Sequence, residues 1–156
     1  MSEGLRIERD DLSGSAVLAL LQFHLDEMHR WSPPGSVHAL PAERLRQPDV
    51  TFFSAWLGEE LAGCGALRHL DAGHGEIKTM RVAPVHLRKG VARAILLHLI
   101  DEARARSYAR VSLETGRTEP FHAAHALYRS HGFVDCAPFA DYVLDDFSIC
   151  MTRDLR

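Results

Sequence analysis

Cysteine is scarce in this 156-residue chain: Cys64, Cys136 and Cys150 are odd in number and widely spaced. That excludes a disulfide frame and reads as reduced thiols in a cytoplasmic protein. Metal-ligand spacings are missing too, with no HExxH and no CxxC. Ten histidines are present, but even His69 with His74 and His122 with His125 do not gather as ligand sets do, so no metal is expected. No apolar run approaches the roughly 18 residues of a membrane span. The opening MSEGLRIERDD is polar and acidic, unlike a signal peptide. Basic runs never exceed two residues and the net charge is −3, which argues against nucleic-acid binding. Internal repeats and low-complexity segments are also missing.

What is present suits one domain spanning 1–156, with 46% apolar and 25% charged residues. Leu5 to Arg9 alternates as a short strand. Ala16 to His29 carries Val17, Leu18, Leu21, Leu25 and Met28 at helical steps, and the Ser-Pro-Pro-Gly segment after Trp31 stops it. Pro41 to Arg46 reads as a short helix. Val50–Leu57, Leu61–Leu70 and Glu76–Val82 read as a three-strand meander. Gly63 and Gly65 predict a bulge or a close backbone approach in the middle strand. A helix over Val91–Arg106 links this meander to a strand over Tyr108–Thr115, so the flanking strands should be parallel neighbours. A helix from Glu119 to Ser130 ends at Gly132. Strands over Phe133–Cys136 and Phe147–Thr152 follow, joined by a loop. The order is β-α-α-β-β-β-α-β-α-β-β.

The stretch Glu76 to Arg106 organises the rest. A strand feeds a basic loop (Leu87, Arg88, Lys89, Gly90, Val91, Ala92) that opens a long helix. Free backbone N–H groups and the helix dipole make such a junction an anion site. Glu76 heads the strand, and Lys78 lies on the same face by period two.

Three pieces resemble the GCN5-related N-acetyltransferase (GNAT) family over most of the chain. They are Met80-Arg81-Val82-Ala83-Pro84, the loop Leu87 to Ala92, similar to the signature (Q/R)-x-x-G-x-(G/A), and Ala126-Leu127-Tyr128-Arg129-Ser130-His131-Gly132-Phe133. Two positions depart from the pattern: Leu87 replaces the usual Gln or Arg, and Phe121 stands where many members carry Asn. The resemblance implies an α/β (α+β) fold: a mixed central sheet of six to seven strands flanked by about four helices, splayed between the fourth and fifth strands. It implies acetyl-CoA as co-substrate, with Leu87, Arg88, Lys89, Gly90, Val91 and Ala92 around the pyrophosphate. Met80, Arg81 and Val82 would lie along the pantetheine and Phe121 near the cofactor.

Under the same resemblance Tyr128 is the general acid for the departing thiolate, or simply a packed helix tyrosine. Glu76 is the candidate base for the incoming ammonium, or a surface carboxylate paired with Lys78; Glu114 and His38 are lesser candidates. Trp31 to Leu40 and Phe139 to Tyr142 are expected to line the acceptor pocket. His24, His98 and His125 read as surface or half-buried helix residues. The expected reaction is acetyl transfer to a primary amine of a small molecule by direct attack. Protein acetylation, a non-catalytic acyl-CoA-binding module and a plain interaction domain are the rivals. The family also allows a homodimer, through an exposed last strand.

Overall fold

The computed structural model describes residues 4–156. In chain order it contains β1 (Leu5–Arg9), α1 (Ser15–Trp31), α2 (Ala42–Leu45), β2 (Val50–Leu57), β3 (Glu60–Asp71), β4 (His74–Val82), α3 (Val91–Ala105), β5 (Arg110–Gly116), α4 (His122–Ser130), β6 (Val134–Cys136) and β7 (Ser148–Asp154). Single 3-10 turns at Pro84–His86 and Glu119–Phe121 lead towards α3 and α4. Seven strands form one open sheet in the order β1-β2-β3-β4-β5-β7-β6. Every adjacent pair is antiparallel except β4 and β5, which the α3 crossover makes parallel. The class, strand number and helix number agree with the sequence expectation. The last strand does not: β7 lies inside the sheet, inserted antiparallel between β5 and β6. The edge at that end is the three-residue β6, which covers β7 at Cys150, Met151 and Thr152, so the last strand is not the edge strand of the sheet.

Two apolar layers sandwich the sheet. On one side α3 buries Val91, Ile95, Leu96, Leu99, Ile100 and Ala103, a stripe at three- and four-residue steps. It packs on Phe53, Leu67, Ile77, Val111 and Leu113. On the other side Val17, Leu20 and Leu21 of α1 meet Leu45, Phe52, Cys64 and Ala66. Phe52 and Phe53 serve opposite layers because successive strand residues point to opposite faces. Close packing of α3 explains the strand glycines. A Cβ on Gly65 would sit 2.7 Å from Ile95 Cγ2, and one on Gly63 would sit 2.8 Å from the Arg81 carbonyl oxygen.

The expected bulge is present in β3: Ala55 pairs with Gly63 and Trp56 with Leu61, so two steps along β3 oppose one along β2. A second bulge lies on β4. Cys64 pairs with Arg81 and Ala66 with Lys78, so three steps along β4 span two along β3. Thr79 absorbs the extra residue at a φ of +53°, which re-aims the side chains beyond it. The same strand then leaves its other neighbour. β4 and β5 are paired only at His74–Arg110, Gly75–Val111 and Glu76–Ser112. β5 continues to Gly116 against β7, while β4 from Ile77 onward has no partner on that side. The sheet is therefore splayed between its fourth and fifth strands, with the gap open at their C-terminal ends.

Candidate active site

A cavity of about 190 Å³ occupies this gap. Its walls are Ile77 to Arg81 of β4, Leu113 to Gly116 of β5, His24, Met28 and Trp31 of α1, the segment Ser36–Ala39, and Phe121, Ala124 and Tyr128 around α4. Because the strands part here, the cavity passes through the sheet and reaches both layers.

On the α3/α4 side, Tyr128 is seated by the end of its own helix. Gly132, at φ +87°, lets the backbone reverse. Its N–H reaches Arg129 O at 3.2 Å, and the Phe133 N–H reaches Tyr128 O at 3.1 Å. This is the Schellman pattern, and its apolar contact is Tyr128 against Phe133, with ring centroids 5.8 Å apart. The Leu-Tyr…Gly-Phe sequence is thus a helix stop that fixes the tyrosine. Tyr128 is buried, and burial pushes its hydroxyl up to about 12, so it keeps its proton at neutral pH. Phe121 stacks edge-on between Trp31 and Phe147, at 6.0 and 5.6 Å.

The loop before α3 is shaped for an anion. Gly90, at φ +81°, caps the helix and accepts from the Ala94 N–H at 3.1 Å. The N–H groups of Val91, Ala92 and Arg93 precede that first helical bond, and the first turn has no acidic residue. Arg88 is exposed with φ +64°. Lys89 Nζ lies 3.1 Å from Nδ1 of His86, whose Nε2 is 2.9 Å from Glu60. Leu87 is 57% exposed, so its side chain contributes no polar contact to the loop.

On the α1/α2 side a charged network closes the floor. Glu76 is fully buried: Arg68 lies at 3.4 Å, Lys78 at 3.6 Å, and the Tyr142 hydroxyl donates to Glu76 Oε2. Lys78 also donates to the His38 carbonyl at 3.0 Å and to Tyr142 at 2.7 Å. Burial pushes its ammonium down, opposed by Glu76. Glu76 does not border the cavity, whereas Glu114, half-buried on β5, does. Burial pushes the Glu114 carboxyl up. The two segments expected to form the pocket do meet. His38 and Tyr142 stack edge-on at 5.0 Å, and the Ser36 hydroxyl donates to Asp145 at 3.3 Å. His38 faces the cavity, while Tyr142 supports it from behind.

The structure corrects the reading of His24, which is buried and lines the cavity. Its Nδ1 accepts from Nε of Arg81 at 2.9 Å. His98 is half-buried against Phe53, and His125 reaches the Gly116 carbonyl. Positions 24, 28 and 31 recur at four and three residues along one helix, and that spacing was the available signal for a cavity wall on α1. Arg81, expected to lie along the pantetheine, points its side chain to the same wall. No group of His, Cys, Asp and Glu suited to a metal occurs among the described residues. No helix among them is long and apolar enough to cross a membrane.

Comparison with known proteins agrees with this geometry. The profile of the acetyltransferase (GNAT) family matches residues 17–133. The uncharacterized N-acetyltransferase YsnE of Bacillus subtilis is 54% identical over 151 residues, covering 97% of this chain and 100% of that protein. The uncharacterized N-acetyltransferase YedL of Escherichia coli is 54% identical over 142 residues, covering 91% and 89%. A GNAT acetyltransferase from Elizabethkingia anophelis, solved with acetyl-CoA bound, superposes with a TM-score of 0.72 over 98% of this chain and 99% of that one. At 18% identity that likeness is one of fold. Profile match, close relatives and splayed sheet together place this chain in the GNAT acetyltransferase family, as an acyltransferase that uses acetyl-CoA as co-substrate.

Proposed function

We propose that the chain moves acetyl from acetyl-CoA directly to the primary amine of a small molecule, within a ternary complex in the cytoplasm. The observation that supports this reading best is the gap between β4 and β5, which opens one cavity to Tyr128 on one side and Glu114 on the other. The α3 amides and Arg88 hold the pyrophosphate, with Leu87 contributing backbone only. The backbone of Met80 to Val82 lies along the pantetheine, and the Met80 N–H faces the thioester oxygen. Glu114, rather than Glu76, takes a proton from the ammonium: it borders the cavity and its raised carboxyl is closer to the working pH. Glu76 instead holds Lys78 and Tyr142 in place.

The free amine attacks the carbonyl carbon, the C–S bond breaks, and the thiolate leaves towards Tyr128. A tyrosine near 12 holds its proton more tightly than a thiol of ordinary pKa about 8.5. Tyr128 therefore stabilises the thiolate as a hydrogen-bond donor. Of the two protons the ammonium loses, one ends on the thiol and one in solution. A covalent cysteine route lacks a nucleophile, since burial pushes Cys64 up to about 12 and Cys150 to about 11, and raises Cys136 as well. Calorimetric titration with acetyl-CoA, followed by free-thiol release over a panel of amines, tests the proposal. Binding without thiol release from any amine identifies a regulatory module instead, and no binding at all overturns both readings.

A further inference from the structure

Among the described residues, Arg81 is a cation without a counter-ion. Arg81 lines the cavity, and its guanidinium sits beside His24 and Trp31, which line it too, yet among the described residues no carboxylate lies within ion-pair distance of it. Glu27, which acts on it from α1, is already ion-paired with Arg30 at 3.1 Å. The Nε proton goes to His24, and Phe23 and Trp31 flank the group at 5.5 and 5.7 Å from their ring centres. This fixes the plane of the fork and leaves both terminal nitrogens for a ligand. The neighbouring cation is not available for the same purpose, because Lys78 spends its donors on the His38 carbonyl, Tyr142 and Glu76. A half-buried charge is costly unless something opposite meets it, and a planar fork suits a carboxylate. We infer that the acceptor is an amino acid, its carboxylate clasped by Arg81 and its amine turned towards Glu114. The apolar walls at Met28, Trp31 and Phe147 favour an apolar side chain on that acceptor.

This inference rests on the transfer reading, and the test separates the two. Free thiol is measured with acetyl-CoA and the twenty amino acids, their amides, their decarboxylated amines, spermidine and phosphoethanolamine. Amino acids should exceed their amides and amines by about tenfold or more in kcat/KM, a usual worth for a charge-assisted contact. Arg81→Gln should erase that preference through KM and leave the acetyl-CoA Kd within about twofold, while Arg81→Lys should retain part of it. Equal turnover of amides or amines, or a preference for phosphoethanolamine, overturns the inference. So does an Arg81→Gln variant that keeps the acid preference, or one whose only defect is weaker acetyl-CoA binding. If nothing is acetylated, the amino acids are titrated calorimetrically into protein saturated with CoA. Binding that the parent shows and Arg81→Gln loses sustains the carboxylate anchor while the transfer reading falls; no binding overturns the anchor.

Discussion

Arg81 donates from Nε to Nδ1 of His24 at 2.9 Å, so the imidazole carries its own proton on Nε2 and is neutral. Burial first, and then the charge of Arg81, push His24 down to about 3. The pair joins β4 to α1 across the cavity wall. It also explains how an arginine that has no carboxylate partner among the described residues is kept in place: a neutral acceptor orients it without compensating its charge.

That depressed value has a consequence for stability. Above pH 6.5, the ordinary value for histidine, folded and unfolded chains are both neutral at this residue, and its contribution is fully present. As the pH falls from 6.5 towards about 3, the unfolded chain binds a proton that the folded chain refuses. The loss grows by up to about 1.4 kcal/mol per pH unit. His24→Gln should make urea-melt stability fall less steeply between pH 6.5 and 4.5 than in the parent. An unchanged slope would show that other groups account for the acid sensitivity.

Tyr128→Phe removes one oxygen from a ring held by the Phe133 contact and the helix stop. The fold and the acetyl-CoA Kd should be retained. The turnover number should drop by about 10²- to 10³-fold, the usual range for a positioned hydrogen-bond donor to a developing anion. Calorimetry for binding and stopped-flow thiol release for rate separate the two effects. Parental turnover would leave Tyr128 with a packing role alone.

The fold was legible where local patterns decide it. The α3 stripe is written in apolar spacing, the parallel step in the length of its crossover, and the helix stop in His131-Gly132-Phe133. The place of β7 was not legible, because strand order at a sheet end depends on which edge is free when the chain returns, and no residue pattern of Ser148 to Asp154 encodes that. The site divides in the same way. Loop and tyrosine lie within short motifs, whereas the roles of Glu76 and Glu114 depend on which one the splay uncovers. Both sit on strands with β-like patterns, and only the loss of pairing after Glu76 tells them apart. Arg81 and His24 are 57 residues apart in sequence, and no local pattern encodes a contact over that distance.

Leu87 tests how much of the cofactor affinity comes from backbone. Gly90 and Ala92 match the family pattern, Leu87 departs from its first position, and the basic Arg88 follows one place later. Leu87→Arg should add one charge-assisted contact near the phosphates and lower the acetyl-CoA Kd by about three- to tenfold. Arg88→Ala should raise it by a comparable factor. Both effects should shrink as salt rises, because the loop is exposed. A neutral outcome for both would mean that the amides alone set phosphate affinity.

The two carboxylates give the sharpest contrast. Glu114 faces the cavity, and burial raises its carboxyl. Glu114→Gln should therefore keep the fold and the acetyl-CoA affinity, lower kcat by about 10²- to 10⁴-fold, and remove the acidic limb of the kcat/KM profile. That limb should sit above the ordinary carboxylate range, because deprotonation of Glu114 is what activates it. Glu76 lies behind the wall, with Arg68, Lys78 and Tyr142 directed at it. Glu76→Gln leaves the buried Lys78 ammonium without its carboxylate, and breaking such a pair costs about 3–5 kcal/mol. The expected signature is a lower urea midpoint together with a surviving acidic limb. If Glu76→Gln instead folds like the parent and loses that limb, the proton acceptor is Glu76 acting through the Tyr142 hydroxyl, and Glu114 is a wall residue.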